Sequence, residues 1–149
     1  MGSLVSARPQ SVWQLTMKYL LDTNALTAWI TKDAHFIKQI QTKNPSDLVI
    51  SVMTEHEVLF GIACNPKLRL RTVAESMLGM LPTLAVGSNE AAVAADIRAD
   101  LRSRGLPIGP YDVLIAATAL ANGLVIVTHN TREFSRISGL LIEDWQLAL

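Results

Sequence analysis

Four residues with oxygen-bearing side chains stand where apolar runs begin or end, and together they have the composition of a metal site. They are Asp22 after residues 19–21, Glu57 within residues 51–64, Asp112 before residues 113–122, and Asn130 after residues 124–128. Ligand-binding groups gather beyond the carboxyl ends of the strands in a parallel α/β sheet, so these side chains are expected to meet. Carboxylates brought together repel one another, which makes a divalent cation their natural occupant. The pattern predicts Mg²⁺- or Mn²⁺-dependent hydrolysis of a phosphodiester.

The composition is that of one compact domain. Half of the 149 residues are hydrophobic and 17% are charged, which is typical of a globular chain rather than a disordered one. We assign residues 17–149 to a single domain. Residues 1–16 are polar and lack clear periodicity, and we interpret them as an upstream extension or a cloning remnant that adds little to the fold.

Three features predict a cytoplasmic location. No apolar run reaches the roughly 18 residues that span a bilayer, and residues 1–16 lack the apolar segment of a signal peptide. Cys64 is the single cysteine, which excludes an intramolecular disulfide and suits a reducing compartment. We expect Cys64 to act as a small apolar residue inside a helix.

The charge balance provides no general attraction for nucleic acid. Lys plus Arg and Asp plus Glu number 13 each, whereas nonspecific nucleic-acid binders usually carry excess positive charge. Any such attraction must therefore be local. The arginines cluster in three places, which are Arg69 with Arg71, Arg98 with Arg102 and Arg104, and Arg132 with Arg136. Each cluster taken alone is more typical of a solvated helix face.

Strand-like and helix-like runs alternate along the chain. The predicted strands are residues 19–21, 48–50, 82–86 and 124–127, with a candidate edge strand at 140–142. The predicted helices are residues 23–30, 34–42, 51–64, 67–80, 88–104 and 112–122, of which the last is apolar nearly all round and should be central. This alternation predicts a three-layer α/β/α sandwich around a mainly parallel sheet.

Local signals define several helix ends and faces. Ser51 and Ser88 are predicted N-caps, and Gly105 and Gly123 lie just beyond predicted helix ends. Within residues 51–64, Gly61 should permit close packing, because glycine inside a helix costs about 1 kcal/mol relative to alanine. The candidate core positions in that helix are Val52, Leu59, Ile62 and Ala63, and those in the preceding helix are Ala34, Ile37 and Ile40.

Each candidate residue also has an ordinary structural explanation. A lone Asp22 after a strand is more often a helix cap, although Thr23 and Asn24 add oxygen atoms beside it. Asp112 in the first turn of its helix gains from the helix dipole, but a buried and unpaired carboxylate is costly without a cation. A His-Glu-x-x-His zinc motif is excluded because position 60 is Phe60, and His129 is more typical of a loop histidine than of a ligand.

The combination of these residues, in this order, resembles the PIN-domain ribonucleases. The N-terminal match comprises residues 18–24 (KYLLDTN) and residues 50–54 (ISVMT) leading to Glu57 and Gly61. The C-terminal match is closer, and it resembles the VapC toxins of bacterial toxin–antitoxin pairs. It comprises residues 97–101 (IRADL), Gly105, residues 107–112 (PIGPYD), 115–117 (IAA), 127–134 (VTHNTREF) and 143–145 (EDW). The resemblance extends from about residue 17 to residue 145.

The resemblance implies a toxin of a type II toxin–antitoxin system with Mg²⁺- or Mn²⁺-dependent endoribonuclease activity on tRNA, rRNA or mRNA. A cognate VapB-type antitoxin would hold this activity in check, and the toxin would form a homodimer and a toxin–antitoxin hetero-oligomer. No membrane is implied. The family's acidic catalytic positions correspond to Asp22, Glu57 and Asp112, and its fourth position, an acid in many members, is Asn130 in this chain.

We assign roles to the surrounding residues as hypotheses. Asp22 and Asp112 are expected to bind the metal directly, and Glu57 directly or through a water. Thr23, Asn24 and Thr128 are expected to orient waters around the ion, and Glu133 to supply a further acidic group. Arg98 and Arg132 are candidates for contact with an RNA phosphate or with the antitoxin, although Arg98 could equally pair with Asp100.

Two alternatives belong to other functional classes. A phosphatase of the haloacid dehalogenase type would use an aspartate after the first strand as its nucleophile, but the second acid that it needs two residues later is Asn24. A catalytically weak PIN-like module would only bind RNA or a protein, which the neutral net charge and Asn130 allow. Metal-dependent RNA cleavage distinguishes the predicted enzyme from this module.

Overall fold

A parallel five-stranded sheet forms the centre of the molecule in the computed structural model, which describes residues 18–67 and 69–148. The strands are β1 (Tyr19–Leu21), β2 (Leu48–Ser51), β3 (Thr83–Leu84), β4 (Val125–Val127) and β5 (Ile142–Glu143). Their order is β3-β2-β1-β4-β5, and every neighbouring pair is parallel. The proposed extension at residues 1–16 lies outside the described residues.

Seven helices connect the strands and cover both faces of the sheet. They are α1 (Thr23–Ile30), α2 (Ala34–Ile40), α3 (Val52–Cys64), α4 (Arg71–Met80), α5 (Ser88–Ser103), α6 (Pro110–Ala121) and α7 (Thr131–Phe134), counted within the described ranges. A short 3₁₀ turn at Pro45–Asp47 precedes β2. None of the helices in the described part of the chain is long and apolar enough to cross a membrane.

Alternation along the strands divides the core into two clusters, one on each face. In β1, Leu20 packs with residues of α5 and α6, whereas the next residue, Leu21, packs with residues of α1, α2 and α4. Successive strand side chains point to opposite faces, so a fully apolar strand must be covered on both. The predicted three-layer α/β/α sandwich and its parallel sheet are confirmed, as is the central burial of the helix that carries Asp112.

Several predicted helix ends are confirmed and one is wrong. Ser51 caps α3, where its Oγ accepts a hydrogen bond from the backbone N–H of Met53 at 3.1 Å. Ser88 does not cap α5, because the N-cap is Gly87 and Ser88 is the first helical residue. The Glu90 carboxylate accepts the Gly87 N–H at 3.0 Å. At this helix end, an acid in the first turn thus accepts a backbone N–H in place of the serine hydroxyl that we predicted as the cap.

The predicted core face of α3 is only partly right. Ile62 is buried, but Leu59 is 48% exposed and Ala63 and Cys64 are exposed as well. A Cβ atom built at Gly61 would meet no atom of residues 18–67 and 69–148 within 4 Å, so this glycine is not required for close packing against them. The helix buries only Thr54 and Ile62 completely, because it contacts the rest of the molecule along a narrow stripe.

Other boundaries and core positions differ by a few residues. In α2 the buried side chain is Phe36, whereas Ala34 is exposed, because the aromatic ring packs into the cluster around Trp145. Helix α6 begins at Pro110 rather than Asp112, since proline suits the first turn of a helix. Helix α4 begins at Arg71 rather than at residue 67, and β3 is shorter than predicted. Strand β5 is Ile142–Glu143 rather than residues 140–142, and helix α7 was not predicted.

Two glycines provide a matched pair for testing backbone strain. Gly123 has a φ of 67° at the end of α6, whereas Gly61 lies in open space within α3. We expect Gly123→Ala to lower the free energy of unfolding by about 1–2 kcal/mol, because an L side chain is strained in that region. Gly61→Ala should raise it by about 0.5–1 kcal/mol. Urea unfolding of both variants tests the pair, and equal effects of the two substitutions would contradict the explanation.

Candidate active site

The strand register brings three polar residues to one edge of the sheet. Leu21 at the end of β1 pairs with Ile50 of β2 and with Val127 of β4. The residues that follow these strand positions are Asp22, Ser51 and Thr128, and they therefore lie side by side at the carboxyl edge. The chain leaves β1 towards β2 on one side, and β4 lies on the other side. A crevice between strands whose connections diverge in this way is the usual binding position in open α/β sheets.

Asp22 is both a helix cap and the buried acid of this edge. Its carboxylate Oδ1 accepts the backbone N–H of Ala25 at 2.8 Å, and only 3% of the residue is exposed. Its pKa is raised to about 6, with burial as the largest cause. Hydrogen bonds from the Thr128 hydroxyl and the Ala25 N–H oppose this rise, and the negative charges of Asp112 and Glu57 contribute to it. The helix cap that the sequence left open for Asp22 is therefore confirmed, and its role in a metal site stays a prediction.

Thr23 positions Glu57 beside Asp22. The Thr23 hydroxyl donates a hydrogen bond to Oε1 of Glu57 at 2.7 Å and lies 3.4 Å from the hydroxyl of the buried Thr54. These contacts join the first turn of α1 to the middle of α3. The structure shows Thr23 holding an acidic side chain of the candidate site, and its predicted role in orienting waters stays a prediction.

Asp112 completes a group of interacting carboxylates. It lies in the first turn of α6, is half-buried, and has a raised pKa. Burial is the largest cause, followed by the negative charges of Glu57 and Glu133. Asp22, Glu57, Asp112 and Glu133 therefore lie close enough for their charges to act on one another. The acidic group predicted at Glu133 is part of this set.

No basic side chain neutralises these four acids in the described ranges. The ion pairs found there join Lys18 to Asp47, Arg71 to Glu75, Arg104 to Asp100, and His129 to Asp144. A buried carboxylate without a cationic partner is costly. This set of hard oxygen donors fits Mg²⁺ or Mn²⁺ in its chemistry. Among residues 18–67 and 69–148, however, no three acidic, histidine or cysteine side chains have the spacing of ligands to one ion.

Asn130 and Asn24 lie beside the acids, along a polar groove. The groove has a volume of about 540 Å³ and is lined by Asn24, Thr27, Ala28, Thr31, Asp33, His129, Asn130 and Gln146. Thr128, only 1% exposed, accepts the backbone N–H of Asn130 at 2.9 Å and so fixes the turn after β4. Asn130 caps α7 without a side-chain hydrogen bond to that helix. Asn130 brings no charge, and the charges that act on Asp112 come from Glu57 and Glu133.

The two candidate arginines lie on different surfaces. Arg98 is exposed on α5 and lines a second groove of about 650 Å³, together with Arg102, Ile108 and Val113. Arg132 is exposed in α7, next to Glu133. The alternative pairing of Arg98 with Asp100 is wrong, because Arg104 lies four residues after Asp100 on the helix and pairs with it at 2.6 Å.

The sequence analysis missed one pair of residues near the site. His129 Nδ1 lies 2.9 Å from Oδ2 of Asp144, whose side chain is only 6% exposed. His129 is in the loop before α7, as predicted for it. The pairing was not visible because the two residues are 15 positions apart and approach only when β5 aligns with β4. The two acidic residues of the segment 143–145, one of which is Asp144, were the available signal.

Comparison with known proteins identifies the family. The PIN domain model matches residues 19–140. A tRNA(fMet)-specific endonuclease VapC from Salmonella typhimurium is 38% identical over 131 residues, which are 87% of this chain and 98% of that protein. Ribonuclease VapC2 from Haemophilus influenzae is 33% identical over the same shares. The chain therefore belongs to the VapC branch of the PIN-domain family.

Solved structures agree with this assignment. The DNA-bound VapBC from Salmonella typhimurium contains a chain that is 38% identical, with a TM-score of 0.79, covering 87% of this chain and 98% of that one. VapBC-1 from nontypeable Haemophilus influenzae is 27% identical with a TM-score of 0.77, covering 88% and 100%. The three-layer fold and the family suggested by residues 18–145 are both confirmed, and the phosphatase alternative is not supported.

Proposed function

We propose that this chain is the toxin of a toxin–antitoxin pair and acts as a Mg²⁺- or Mn²⁺-dependent endoribonuclease. Transfer RNA is the first substrate to test, because the relative from Salmonella typhimurium is named as an endonuclease specific for tRNA(fMet). The related solved structures are VapBC complexes, which supports a VapB-type antitoxin as the partner. A homodimer, a hetero-oligomer with the antitoxin and a cytoplasmic location remain predictions.

One observation carries this proposal. The buried Asp22 at the end of the central strand lies within electrostatic range of Asp112 and Glu57, and none of them has a basic partner in the described part of the chain. Such an arrangement is unfavourable unless a cation binds. Asp22 and Asp112 would hold a divalent ion by their carboxylates, which would relieve this repulsion and lower the pKa of both groups.

The roles of the chain's own residues follow from their positions. Asp22 and Asp112 would hold the metal and Glu57 would assist directly or through a water, with Thr23 keeping the Glu57 carboxylate in place at 2.7 Å. Thr128 fixes Asp22, and Asn24 and Asn130 face the adjoining groove. When bound, the ion lowers the pKa of a water to provide the nucleophile and neutralises charge on the phosphate. Arg132 directly precedes Glu133 in the chain. Of the two candidate arginines, it is therefore the one that would contact an RNA phosphate at this site.

Cleavage of RNA by antitoxin-free protein tests the proposal directly. We expect discrete fragments from total tRNA with Mg²⁺ or Mn²⁺ and none with EDTA. Asp112→Asn should reduce the rate by about 10²–10³-fold, because a metal ligand contributes several kcal/mol to the transition state. Asp96→Asn is the matched control, since Asp96 is an exposed acid on α5, and it should cleave at the wild-type rate.

A binding module without catalysis is the second candidate function. It is favoured by the absence, among residues 18–67 and 69–148, of three acidic side chains at the spacing of ligands to one ion. This alternative predicts RNA or antitoxin binding that is the same with metal and with EDTA, and no fragments from folded protein. Fragments that require both the metal and Asp112 would exclude it.

A further inference from the structure

The polar groove beside the acids has the chemistry of a nucleoside site rather than of a phosphate site. Among the described residues its lining consists mainly of amide and hydroxyl side chains, with Asp33 and His129 as its titratable members and no Lys or Arg. A phosphate needs positive charge, whereas a ribose and a base need hydrogen-bonding groups without it. Asn24 and Asn130 lie two positions after Asp22 and Thr128, so one end of the groove lies within two residues of the candidate metal ligand Asp22.

His129 lines this groove, and one of its two ring nitrogens is paired with Asp144. Its Nδ1 lies 2.9 Å from Oδ2 of Asp144, and the other carboxylate oxygen, Oδ1, accepts the backbone N–H of Gln146 at 2.9 Å. An ionised carboxylate only accepts hydrogen bonds, so the proton between the two residues belongs to Nδ1. In the neutral ring, Nε2 is then an acceptor. Because 56% of the His129 side chain is exposed, the ring remains available to a ligand.

Gln146 is a second, independent indication that the groove binds a ligand carrying a hydrogen-bond donor. Its Oε1 is buried and has no hydrogen-bond partner among the described residues, although the side chain lines the groove. A buried acceptor without a partner destabilises the folded protein. A ligand that brings a hydrogen-bond donor into the groove would relieve this cost, and both the hydroxyl groups of a ribose and the amino groups of a base are such donors.

We propose that this groove is a ribonucleoside subsite for the nucleotide next to the cleaved phosphate, and that His129, positioned by Asp144, accepts a hydrogen bond from its 2′-hydroxyl. The inference rests on the proposed ribonuclease function and adds to it the means by which RNA is distinguished from DNA. The amides of Asn24, Asn130 and Gln146 would contact the base. The candidate metal site would hold the phosphate.

Substrates that differ at one 2′-position test the contact. The probes are a short RNA spanning the mapped cleavage site and two versions with a single 2′-deoxynucleotide, one on each side of the cut. We expect wild-type protein to cleave one of the deoxy versions about tenfold more slowly, which corresponds to one hydrogen bond. His129→Ala should cleave the all-ribose RNA about tenfold more slowly and show no further loss with the deoxy version.

The control and the opposing outcomes are defined by the same experiment. His35→Ala, which removes an exposed histidine that does not line the groove, should retain the wild-type rates and the wild-type preference for ribose. If His129→Ala keeps the tenfold deoxy penalty, or if wild-type protein shows no penalty at either position, the subsite is wrong while the ribonuclease function stands.

A spectroscopic test separates failure of the subsite from failure of the ribonuclease proposal. Long-range ¹H–¹⁵N spectra should show the Nδ1–H tautomer for the ring whose signals disappear in His129→Ala. The same signals should shift when ribonucleoside 5′-monophosphates are added and shift less with their 2′-deoxy counterparts. An Nε2–H tautomer, or equal shifts with both sugars, would overturn the proposed subsite whether or not the protein cleaves RNA. A larger shift with the ribonucleotides would support the subsite even if the protein cleaved no RNA.

Discussion

Asp22→Asn is expected to reduce RNA cleavage by at least about 10³-fold and to leave the fold intact. The substitution removes one negative charge from the acids that would hold the metal, and loss of several kcal/mol of transition-state stabilisation corresponds to this factor. Asp22 is the most buried of the four interacting acids, with 3% exposure. We therefore expect its replacement to have the largest effect of any single change at the site.

The fold should tolerate this change because an amide keeps the structural role of the side chain. The asparagine oxygen can still accept the backbone N–H of Ala25, which Asp22 Oδ1 accepts at 2.8 Å. Asparagine and aspartate are about equally good N-caps. Asp22→Ala loses that bond as well and should be less stable than Asp22→Asn by about 0.5–2 kcal/mol.

Cleavage assays with both variants, together with thermal unfolding in EDTA, separate the two roles of Asp22. Asp22→Asn should be inactive and stably folded, whereas Asp22→Ala should be inactive and less stable. A folded Asp22→Asn protein that retains more than about a tenth of the wild-type rate would show that Asp22 is only a cap.

Most of the fold could be predicted because the strands are covered on both faces. The apolar triplet Tyr19–Leu21 and its parallel partners have to be buried within an α/β sandwich. Polar residues directly after such strands must then meet at one edge, which is why Asp22 and Thr128 could be placed together. The core face of α3 could not be predicted, since its apolar residues Leu59 and Phe60 are exposed.

The acidic residues of the candidate site could be named from the sequence, whereas the contacts between them were predicted less well. Glu57 is one residue among many helical glutamates, and only the fold shows that Thr23 holds it from 34 positions away. Glu133 was predicted to approach the site because it follows the polar residues 128–131, and its charge does act on Asp112. The pair of His129 and Asp144 depends on the alignment of β4 with β5, a long-range pairing for which a single sequence carries little signal.

The wild-type protein in EDTA should lose about 2 kcal/mol of stability relative to Asp22→Asn as the pH rises from 4 to 7. The pKa of Asp22 is raised in the folded protein from 3.8 to about 6, so the folded state binds more protons than the unfolded state between these values. Stability therefore falls as the pH rises through this window, and the loss is complete above a pH of about 6. Asp112 shifts in the same direction, but comparison with Asp22→Asn isolates the contribution of Asp22.

Mn²⁺ should restore this stability at pH 7 and have little effect at pH 4. An ion that binds the folded state alone stabilises it by RT ln(1 + [L]/Kd), about 2.7 kcal/mol at a hundredfold excess over Kd. At pH 4 the carboxylate of Asp22 is protonated and no longer attracts the ion. Urea unfolding at both pH values, with EDTA and with Mn²⁺, measures the four free energies. Stabilisation by Mn²⁺ that is equal at pH 4 and pH 7, or equal in Asp22→Asn, would place the ion elsewhere on the protein.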